Sequence, residues 1–362
     1  MINRERLVKS FCDLARIDSP SGEEDAVATE LIARLEALGL SIKRDSYGNV
    51  IAGDGRSRPL ILSAHMDTVE PGRGIKPRLE GERIVSDGTT ILGGDCKAGV
   101  ASILEALQSV HEDNVPHAPV EVVFTREEEI GLVGAKNLDF SMITGEQAVV
   151  FDGEGPPTHI TSSSPTYVGF EIHVTGRAAH AGVEPEKGIS AIRIISEIIT
   201  RFPQGRLDDE TTFNIGTIQG GMVRNAVPEN ASVAGEFRSR NLESLDGVHL
   251  QFLETVDEVR QMFPDAIIEE HLHTEWEGST LAEDDPTAGR VTTALRKLGL
   301  EPVMRPSGGG TDGNVFRTNG ISAVVVGMAD QNMHTVREYV VIPDLVDAAH
   351  LCEELLKQGL SG

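Results

Sequence analysis

Imidazole and carboxylate side chains recur directly after short apolar segments of this 362-residue sequence. His65 and Asp67 follow the segment LILSA, Asp152 follows AVVF, and His334 lies beyond AVVVGM. Nitrogen and oxygen donors of this kind suit Zn²⁺, Mn²⁺ or Co²⁺ better than Cu⁺ or an iron–sulfur cluster. The residue types therefore predict a site for divalent metal ions, provided that the fold brings them together.

Two further acidic segments complete the candidate site. The triplet Glu127-Glu128-Glu129 follows the apolar segment VEVVFT, and Asp95 lies in GGDCK, where glycines allow a sharp turn before a helix. Two divalent ions carry about four positive charges, which one shared aspartate, two further carboxylates and a bridging hydroxide would neutralise. The set is therefore sufficient for a dinuclear centre.

Each of these features taken alone has an ordinary structural interpretation. A His-x-Asp pair is commonly a hydrogen-bonded pair, and a glutamate triplet is commonly a solvated surface segment. Asp152 alone could cap a turn, and His334 alone could lie on a surface. Their coincidence favours a common site, because every member lies at a predicted strand end or helix start, where unpaired acids would repel one another.

The apolar segments have the pattern of buried strands, and the segments between them have helical periodicity. Strands that alternate with helices indicate an α/β fold with a mostly parallel sheet flanked by helices. Ligands bind at the carboxyl ends of such strands, so we expect the acids and imidazoles to converge there. Ser21 and Glu24 have the spacing of a helix capping box. The main predicted strands cover residues 59–64, 120–125, 148–151 and 321–327, and the main predicted helices cover 97–111, 287–298 and 343–358.

The pattern changes in the middle of the chain. Apolar and polar residues alternate from Val168 to Val174, as in a half-exposed antiparallel strand. The segments that follow predict a β-α-β-β-α-β order, a compact α+β unit inserted in the chain. We therefore predict a discontinuous domain of residues 1–162 and 273–362 that carries the metal site, and an inserted domain of residues 163–272.

Composition excludes several classes of protein. The net charge is −25 at pH 7, which disfavours binding to nucleic acid or to an anionic membrane. No segment has the eighteen or so consecutive apolar residues of a membrane span. The three cysteines lack CxxC spacing, which favours a reducing compartment, and the amino-terminal segment has no apolar signal core. We therefore predict a cytoplasmic protein.

Five ordered blocks resemble the dinuclear zinc peptidases related to peptidase T, carboxypeptidase G and succinyl-diaminopimelate desuccinylase. The resemblance leans towards peptidase T-like aminopeptidases and is spread over residues 60 to 340. Any one block alone is weakly specific, whereas five in order are strongly specific. The blocks are AHMDTV (64–69), GGDCKAG (93–99), FTREEEIG (124–131), FDG (151–153) and NMHT (332–335).

The resemblance implies a role for each residue of these blocks. It implies two divalent metal ions, with Zn²⁺ preferred and Co²⁺ or Mn²⁺ as alternatives. Glu128 would be the general base, and Asp67 would orient His65 from the side of the imidazole that faces away from the metal. Glu127 receives no role. Arranged by ion, the implied ligands are His65 and Asp152, then Glu129 and His334, with Asp95 bridging both.

The resemblance also implies that the inserted domain is a lid that binds substrate and can form a homodimer. In the block RAAHAG, His180 would stabilise the oxyanion, while Asn225 and Arg238 would hold the substrate. The glycine-rich segment SGGGTDG resembles the loop that lines the substrate end of the cleft. The implied substrate-binding residues are His180, Asn225, Arg238, Gly309, Gly310 and Thr311.

Several functions are compatible with these residues. The favoured one is hydrolysis of short peptides by an aminopeptidase resembling a tripeptidase. Gly308 stands where peptidase T has an arginine, which leaves strict tripeptide specificity open. The alternatives are an N-acyl amino-acid deacylase or a carboxypeptidase on the same metal centre, a metal-binding protein without activity, and an α/β protein whose acids are only surface charge.

Overall fold

The computed structural model describes residues 1–358, and the chain forms two compact units. The larger unit contains Met1–Ser163, Thr280–Ser307 and the described residues from Thr311 onward. The smaller unit contains Ser164–Ser279 together with Gly308–Gly310. Within the described residues, no helix is both long and apolar enough to span a bilayer.

Several helices begin where a polar side chain accepts one of the first free backbone N–H groups. Asn3, Ser190, Asn241 and Asp285 each accept such a hydrogen bond at a helix start. The helices are α1 (Arg4–Ala15), α2 (Asp25–Ala37), α3 (Gly94–Glu112), α4 (Val133–Lys136), α5 (Ala191–Arg201), α6 (Leu242–Met262), α7 (Pro286–Lys297), α8 (Asp312–Thr318) and α9 (Ile342–Lys357).

Each of the four main predicted strands corresponds to a strand of the structure. The first ten are β1 (Ser41–Arg44), β2 (Val50–Gly53), β3 (Leu60–His65), β4 (Arg78–Glu80), β5 (Arg83–Val85), β6 (Val120–Thr125), β7 (Gln147–Gly153), β8 (His159–Ser164), β9 (Thr166–Thr175) and β10 (Ala179–His180). The remaining strands are β11 (Gly205–Arg206), β12 (Thr211–Gly220), β13 (Ala226–Val227), β14 (Asn230–Ser239), β15 (Ile267–Trp276), β16 (Ser279–Thr280), β17 (Val303–Pro306), β18 (Ser322–Gly327), β19 (Asp330–Gln331) and β20 (Tyr339–Val341). The four predicted strands correspond to β3, β6, β7 and β18.

A central sheet organises the larger unit, with the strand order β1-β2-β6-β3-β7-β18-β8. The neighbours β6, β3, β7 and β18 are parallel, which confirms the predicted α/β fold class. Alternate side chains of these strands enter two cores. Leu62 of β3 packs with residues of α1, α3 and α9, and Ile61 packs on the other face with Phe316 of α8. Both faces of the sheet are therefore buried, as a parallel sheet requires.

The predicted capping box at Ser21 and Glu24 is wrong. Helix α2 begins at Asp25, and Glu24 makes no side-chain capping bond to it. Glu24 is fully buried and instead accepts hydrogen bonds from the backbone N–H of Gly22 and Glu127. A capping motif is a local pattern, and long-range partners have taken over both side chains.

The smaller unit has a separate core on one five-stranded sheet, ordered β11-β12-β14-β9-β15. Helices α5 and α6 contribute Ile194, Ile198, Phe252 and Val256 to this core. The elements β9, α5, β12, β14, α6 and β15 follow one another along the chain in the β-α-β-β-α-β order. The function of this unit as a lid stays a prediction.

Candidate metal centre

His65 is the last residue of β3 and faces two aspartates. Its side chain is 1% exposed, and its Nε2 lies 2.9 Å from Oδ1 of Asp95 and 3.5 Å from Oδ1 of Asp152. Asp152 lies near the carboxyl end of β7, the neighbour of β3 in the sheet. The parallel pairing of these two strands thus brings an imidazole and a carboxylate to the same edge.

Asp95 connects this first group to a second one. Its Oδ2 lies 3.1 Å from Nε2 of His334, which in turn lies 3.0 Å from Oε2 of Glu129. Each oxygen of Asp95 therefore faces a different imidazole. In each group the possible ligand atoms all lie within 4.8 Å of one another. Among the described residues these groups are His65, Asp95, Cys96 and Asp152, and Asp95, Glu129 and His334.

The donor set fits a pair of divalent cations. Imidazole nitrogens and carboxylate oxygens are the ligands that Zn²⁺ takes most often beside thiolates. Oε1 of Glu129 is buried and has no hydrogen-bond partner in the described structure. A buried charged oxygen is costly without a partner, and a cation provides one. The structure brings together all five residues that the sequence predicts as ligands, and their metal binding stays a prediction.

Charges within the cluster shift the pKa of each member. Burial opposes ionisation of Asp95, but hydrogen bonds from His334 and His65 outweigh it and hold its pKa below the usual range. Burial, with the charge of Asp95, raises the pKa of Glu129 to about 7, and burial raises the pKa of Asp152 to about 6. Hydrogen bonds to Asp95 and Glu129 raise the pKa of His334 to about 10. Nearby cations would favour ionisation of all three carboxyl groups.

Asp67 organises the residues behind the first imidazole. Its Oδ1 lies 3.2 Å from Nδ1 of His65 and accepts the backbone N–H of Glu128 at 3.0 Å, while Oδ2 accepts that of Glu129 at 3.2 Å. Ser21 donates its hydroxyl to the same Oδ2 at 2.7 Å. No sign of this role for Ser21 is visible in the sequence, because the two residues are 46 positions apart and only the fold brings them together.

The three glutamates of the triplet have different environments. Glu128 is buried, lies outside both groups of possible ligands, and has a pKa well above the usual range because of burial and the charge of Asp152. Glu127 points elsewhere and accepts the hydroxyl hydrogen of Tyr47. The geometry is thus compatible with the predicted separation of a ligand, a base and a residue without a catalytic role.

Cys96 is a member of the first group that the sequence analysis did not consider. Its thiol is fully buried and donates to the backbone oxygen of Phe151 at 2.7 Å. Burial raises the pKa of this thiol well above its usual range. A protonated thiol donates to a carbonyl rather than binding a metal ion. Its position directly after Asp95 was the only available signal in the sequence.

Asp312 is a buried acid for which the sequence indicated no role. Its Oδ2 accepts the hydroxyl hydrogen of Thr125, the last residue of β6, and its Oδ1 has no hydrogen-bond partner in the described structure. Burial raises the pKa of Asp312 to about 7. The available signal was the aspartate of the segment SGGGTDG, directly after Thr311.

Two of the predicted substrate residues are neighbours within the smaller unit. Strand β10 pairs with β13, so that His180 lies opposite Ala226. The backbone N–H of Ala181 donates to the backbone oxygen of Asn225 at 3.0 Å. His180 and Asn225 are both exposed, and their side chains are therefore accessible to a ligand.

The other predicted substrate residues already have structural partners. The guanidinium of Arg238 lies 4.2 Å from the ring centre of Tyr167 and pairs with Glu236 at 2.6 Å. Gly310 packs so closely on Trp276 that a Cβ atom would lie 2.2 Å from its indole nitrogen. Thr311 caps α8 through its hydroxyl. Gly309 lies directly before Gly310 in the same segment.

Comparisons with known proteins agree with this site. The sequence matches the family described as Peptidase family M20/M25/M40 over residues 61–358. It is 35% identical to the protein YqjE of Bacillus subtilis, covering 99% of this chain and 100% of that one. It is 24% identical to peptidase T of Listeria monocytogenes, covering 98% of both chains.

Two solved structures share the fold and more than 30% of the residues. Aminopeptidase PepT from Bacillus cereus is 35% identical with a TM-score of 0.86, covering 98% of both chains. A tripeptidase from Staphylococcus aureus is 31% identical with a TM-score of 0.91, covering 99% of this chain and 98% of that one. The resemblance to peptidases of the peptidase T type is confirmed, and the chain is a metal-dependent peptidase. It belongs to the peptidase family M20/M25/M40.

Proposed function

We propose that the protein is an aminopeptidase that hydrolyses short peptides at a dinuclear zinc centre. The observation that carries this proposal is the position of Asp95, which directs one oxygen to His65 and the other to His334. A carboxylate between two imidazoles, with further acids beside each of them, is the arrangement that a pair of bridged cations needs. The names of the similar solved structures, an aminopeptidase and a tripeptidase, support the substrate class.

His65 and Asp152 would hold one ion, Glu129 and His334 the other, and Asp95 both. When bound, two such ions lower the pKa of a shared water and polarise the carbonyl of the scissile amide. Zn²⁺ suits the mixture of imidazoles and carboxylates, and Co²⁺ or Mn²⁺ could occupy the same ligands.

Glu128 would act as general base and then as general acid. Its carboxylate would accept a proton from the attacking water and pass it to the departing amine. Asp67 supports this task, because it fixes the backbone N–H of Glu128 and lies beside Nδ1 of His65. A fixed backbone at Glu128 limits the positions that its side chain can take, which favours proton transfer in one geometry.

We further propose that the smaller unit is a lid that contributes to substrate binding and to a homodimer. His180 would stabilise the oxyanion, and the other predicted substrate residues would hold the peptide. Among the described residues, β11 pairs with β12 only at Thr212 and Phe213. Farther along the chain, the apolar side chains of Ile218 and Met222 are exposed, which leaves apolar surface for a second copy of the chain. A mass of 38.9 kDa at every concentration, measured by light scattering, would contradict the dimer. The cytoplasmic location stays a prediction from the sequence.

A substrate comparison tests the proposed activity. Purified protein loaded with Zn²⁺, Co²⁺ or Mn²⁺ is incubated with di-, tri- and tetrapeptides, with amino-terminally acetylated versions, and with N-acetyl and N-succinyl amino acids. We expect release of the amino-terminal residue from unblocked peptides and none from acetylated ones. Release of the carboxyl-terminal residue would indicate a carboxypeptidase, and cleavage of the acyl amino acids would indicate a deacylase.

A further inference from the structure

A buried carboxylate lies directly behind the turn that carries Asp95. Glu338 is 2% exposed and immediately precedes β20. Its Oε2 accepts the backbone N–H of Leu92 at 2.5 Å and that of Gly93 at 2.8 Å, and its Oε1 accepts the backbone N–H of Asp95 at 3.1 Å. Three charge-assisted hydrogen bonds from one carboxylate thus hold one short turn.

The turn itself needs this support, because it does not continue the geometry of α3. Gly93 has φ of +73°, and Asp95 has a ψ of 104°, outside the helical range. The turn lies at the start of α3, where the first backbone N–H groups have no partner within the helix. Glu338 satisfies these groups, and in doing so it sets the direction in which the Asp95 side chain leaves the backbone.

The same segment of chain also carries an imidazole of the site. Strands β19 and β20 pair through Asp330 and Val340, and the loop between them contains His334. His334 contacts the carboxylate of Asp95. Glu338, four residues after His334, accepts the backbone N–H of Asp95. One closed loop therefore fixes Asp95 at both ends, the backbone through Glu338 and the side chain through His334.

We propose that Glu338 is a positioning residue that aligns Asp95 for simultaneous contact with both metal ions. This inference rests on the proposed dinuclear centre and assigns to it a residue outside the ligand set. Without the three hydrogen bonds, the turn at residues 92–95 would rotate. The two oxygens of Asp95 could then no longer face His65 and His334 at the same time. Residues that orient ligands in this way typically contribute 10–100-fold to metal affinity or activity.

The test replaces Glu338 by glutamine and measures metal binding. Glu338→Gln is nearly isosteric, but it removes the charge and turns an NH₂ group towards backbone donors. Mn²⁺ is titrated into the metal-free protein by calorimetry, and electron paramagnetic resonance at two equivalents reports whether the ions are exchange-coupled. We expect wild-type protein to bind two coupled ions, and Glu338→Gln to bind the weaker ion at least 10-fold less tightly, with a signal of isolated Mn²⁺.

Glu121→Gln is the matched control. Glu121 is also a buried glutamate whose carboxylate holds a turn, accepting the backbone N–H of Thr144 and Gly145 at 3.0 Å each. It lies at the amino end of β6, opposite the end that leads to Glu128. We expect both Glu121→Gln and Glu338→Gln to lower the stability of the protein. Only Glu121→Gln should keep two coupled ions at wild-type affinity.

The outcomes separate this inference from the proposed function. Glu338→Gln with two coupled ions at wild-type affinity would overturn the positioning role and leave the dinuclear centre intact. Wild-type protein that binds no divalent ion would overturn both. If Glu338→Gln does not fold, Glu338→Asp takes its place, because it keeps the charge and shortens the reach. The same loss for the weaker ion is then expected, and unchanged affinity would contradict the role.

Discussion

Asp95 shows at the residue scale how one side chain can connect two groups of ligands. Its two oxygens face imidazoles from distant parts of the chain, and its backbone N–H is held by Glu338, from the segment that also carries His334. Asp67 has a comparable place behind His65, where it accepts the backbone N–H groups of Glu128 and Glu129. Carboxylates with several donors are rigid, which suits groups that must set metal and proton positions.

The predicted division of labour in the glutamate triplet can be tested with single substitutions. Glu128→Gln keeps the shape of the side chain but cannot accept a proton. We expect it to bind two metal ions and to keep the fold, while kcat falls by roughly 10²–10⁴-fold. The measurements are kcat with the best peptide and metal content by elemental analysis.

Glu127→Gln is the control for this substitution. Glu127 is the neighbour of Glu128 but contacts Tyr47, and we expect kcat within a few-fold of wild type. A large loss in Glu127→Gln with an active Glu128→Gln would mean that the triplet is read one residue out of register.

At the element scale, the contact between α3 and β7 places ligands from both elements. Gly99 lies one turn after Asp95 and packs on the backbone of Phe151, the residue before Asp152. A Cβ atom at residue 99 would lie 2.3 Å from the backbone oxygen of Phe151. Only glycine lets the helix approach the strand this closely.

Gly99→Ala therefore tests the contact between helix and strand. We expect the substitution to destabilise the protein by about 1–3 kcal/mol, because backbone atoms cannot move aside as a flexible side chain can. We also expect weaker metal binding, because the shift separates Asp95 from Asp152. Denaturant unfolding and calorimetric titration measure the two effects.

Gly289→Ala provides the comparison for an unhindered helix. Gly289 lies in α7, and a Cβ atom there has no heavy atom within 4 Å beyond its own helix backbone and chain neighbours. We expect the free energy of unfolding to rise by about 0.5–1 kcal/mol, as for glycine to alanine in a helix interior. If Gly99→Ala behaved in the same way, close packing against β7 would not be the reason for glycine at residue 99.

At the scale of the whole molecule, the net charge is −25, and some of the acidic groups behind it are clustered inside the protein. Asp95, Glu129 and Asp152 lie together in the candidate metal centre, and burial or charge raises the pKa of the last two. Surface charges are screened by salt, whereas buried charges are screened much less. The stability of the metal-free protein should therefore depend on pH through these groups.

The sign of this dependence follows from the pKa values. Unfolded, Glu129 releases its proton near pH 4.5, whereas in the folded chain its pKa is about 7. His334 has a pKa of 6.5 when unfolded and about 10 when folded. Between the unfolded and the folded pKa of each group, the folded protein binds more protons than the unfolded chain does. The free energy of unfolding therefore falls as pH rises.

Chelation of metal should therefore destabilise the protein more at high pH than at low pH. In EDTA we expect the melting temperature to fall by several degrees between pH 5.5 and pH 8.5, at high salt as well as at low salt. With saturating Zn²⁺ the fall should disappear, because the ions stabilise the deprotonated ligands. Equal melting curves with and without EDTA at pH 8.5 would speak against a metal centre.

The sequence alone determined the main strands of the central sheet, the fold class and the clusters of acids and imidazoles. β6 matches the predicted residues 120–125, because a parallel strand that is buried on both faces is apolar throughout. Placing His65, Asp152 and Glu129 near one another needed only the rule that parallel strands end at one edge. The resemblance supplied their roles, which the pattern of residues could not.

Only the tertiary structure decided which side chains stand behind these residues. Ser21 looked like a helix cap, yet it contacts Asp67, and Glu338 had no signal at all although it holds the turn of Asp95. Both contacts join segments that are far apart in sequence, at separations of 46 positions for the first pair and 243 for the second. Local patterns report local geometry, whereas a buried polar group takes whatever partner the folded chain brings within hydrogen-bond distance.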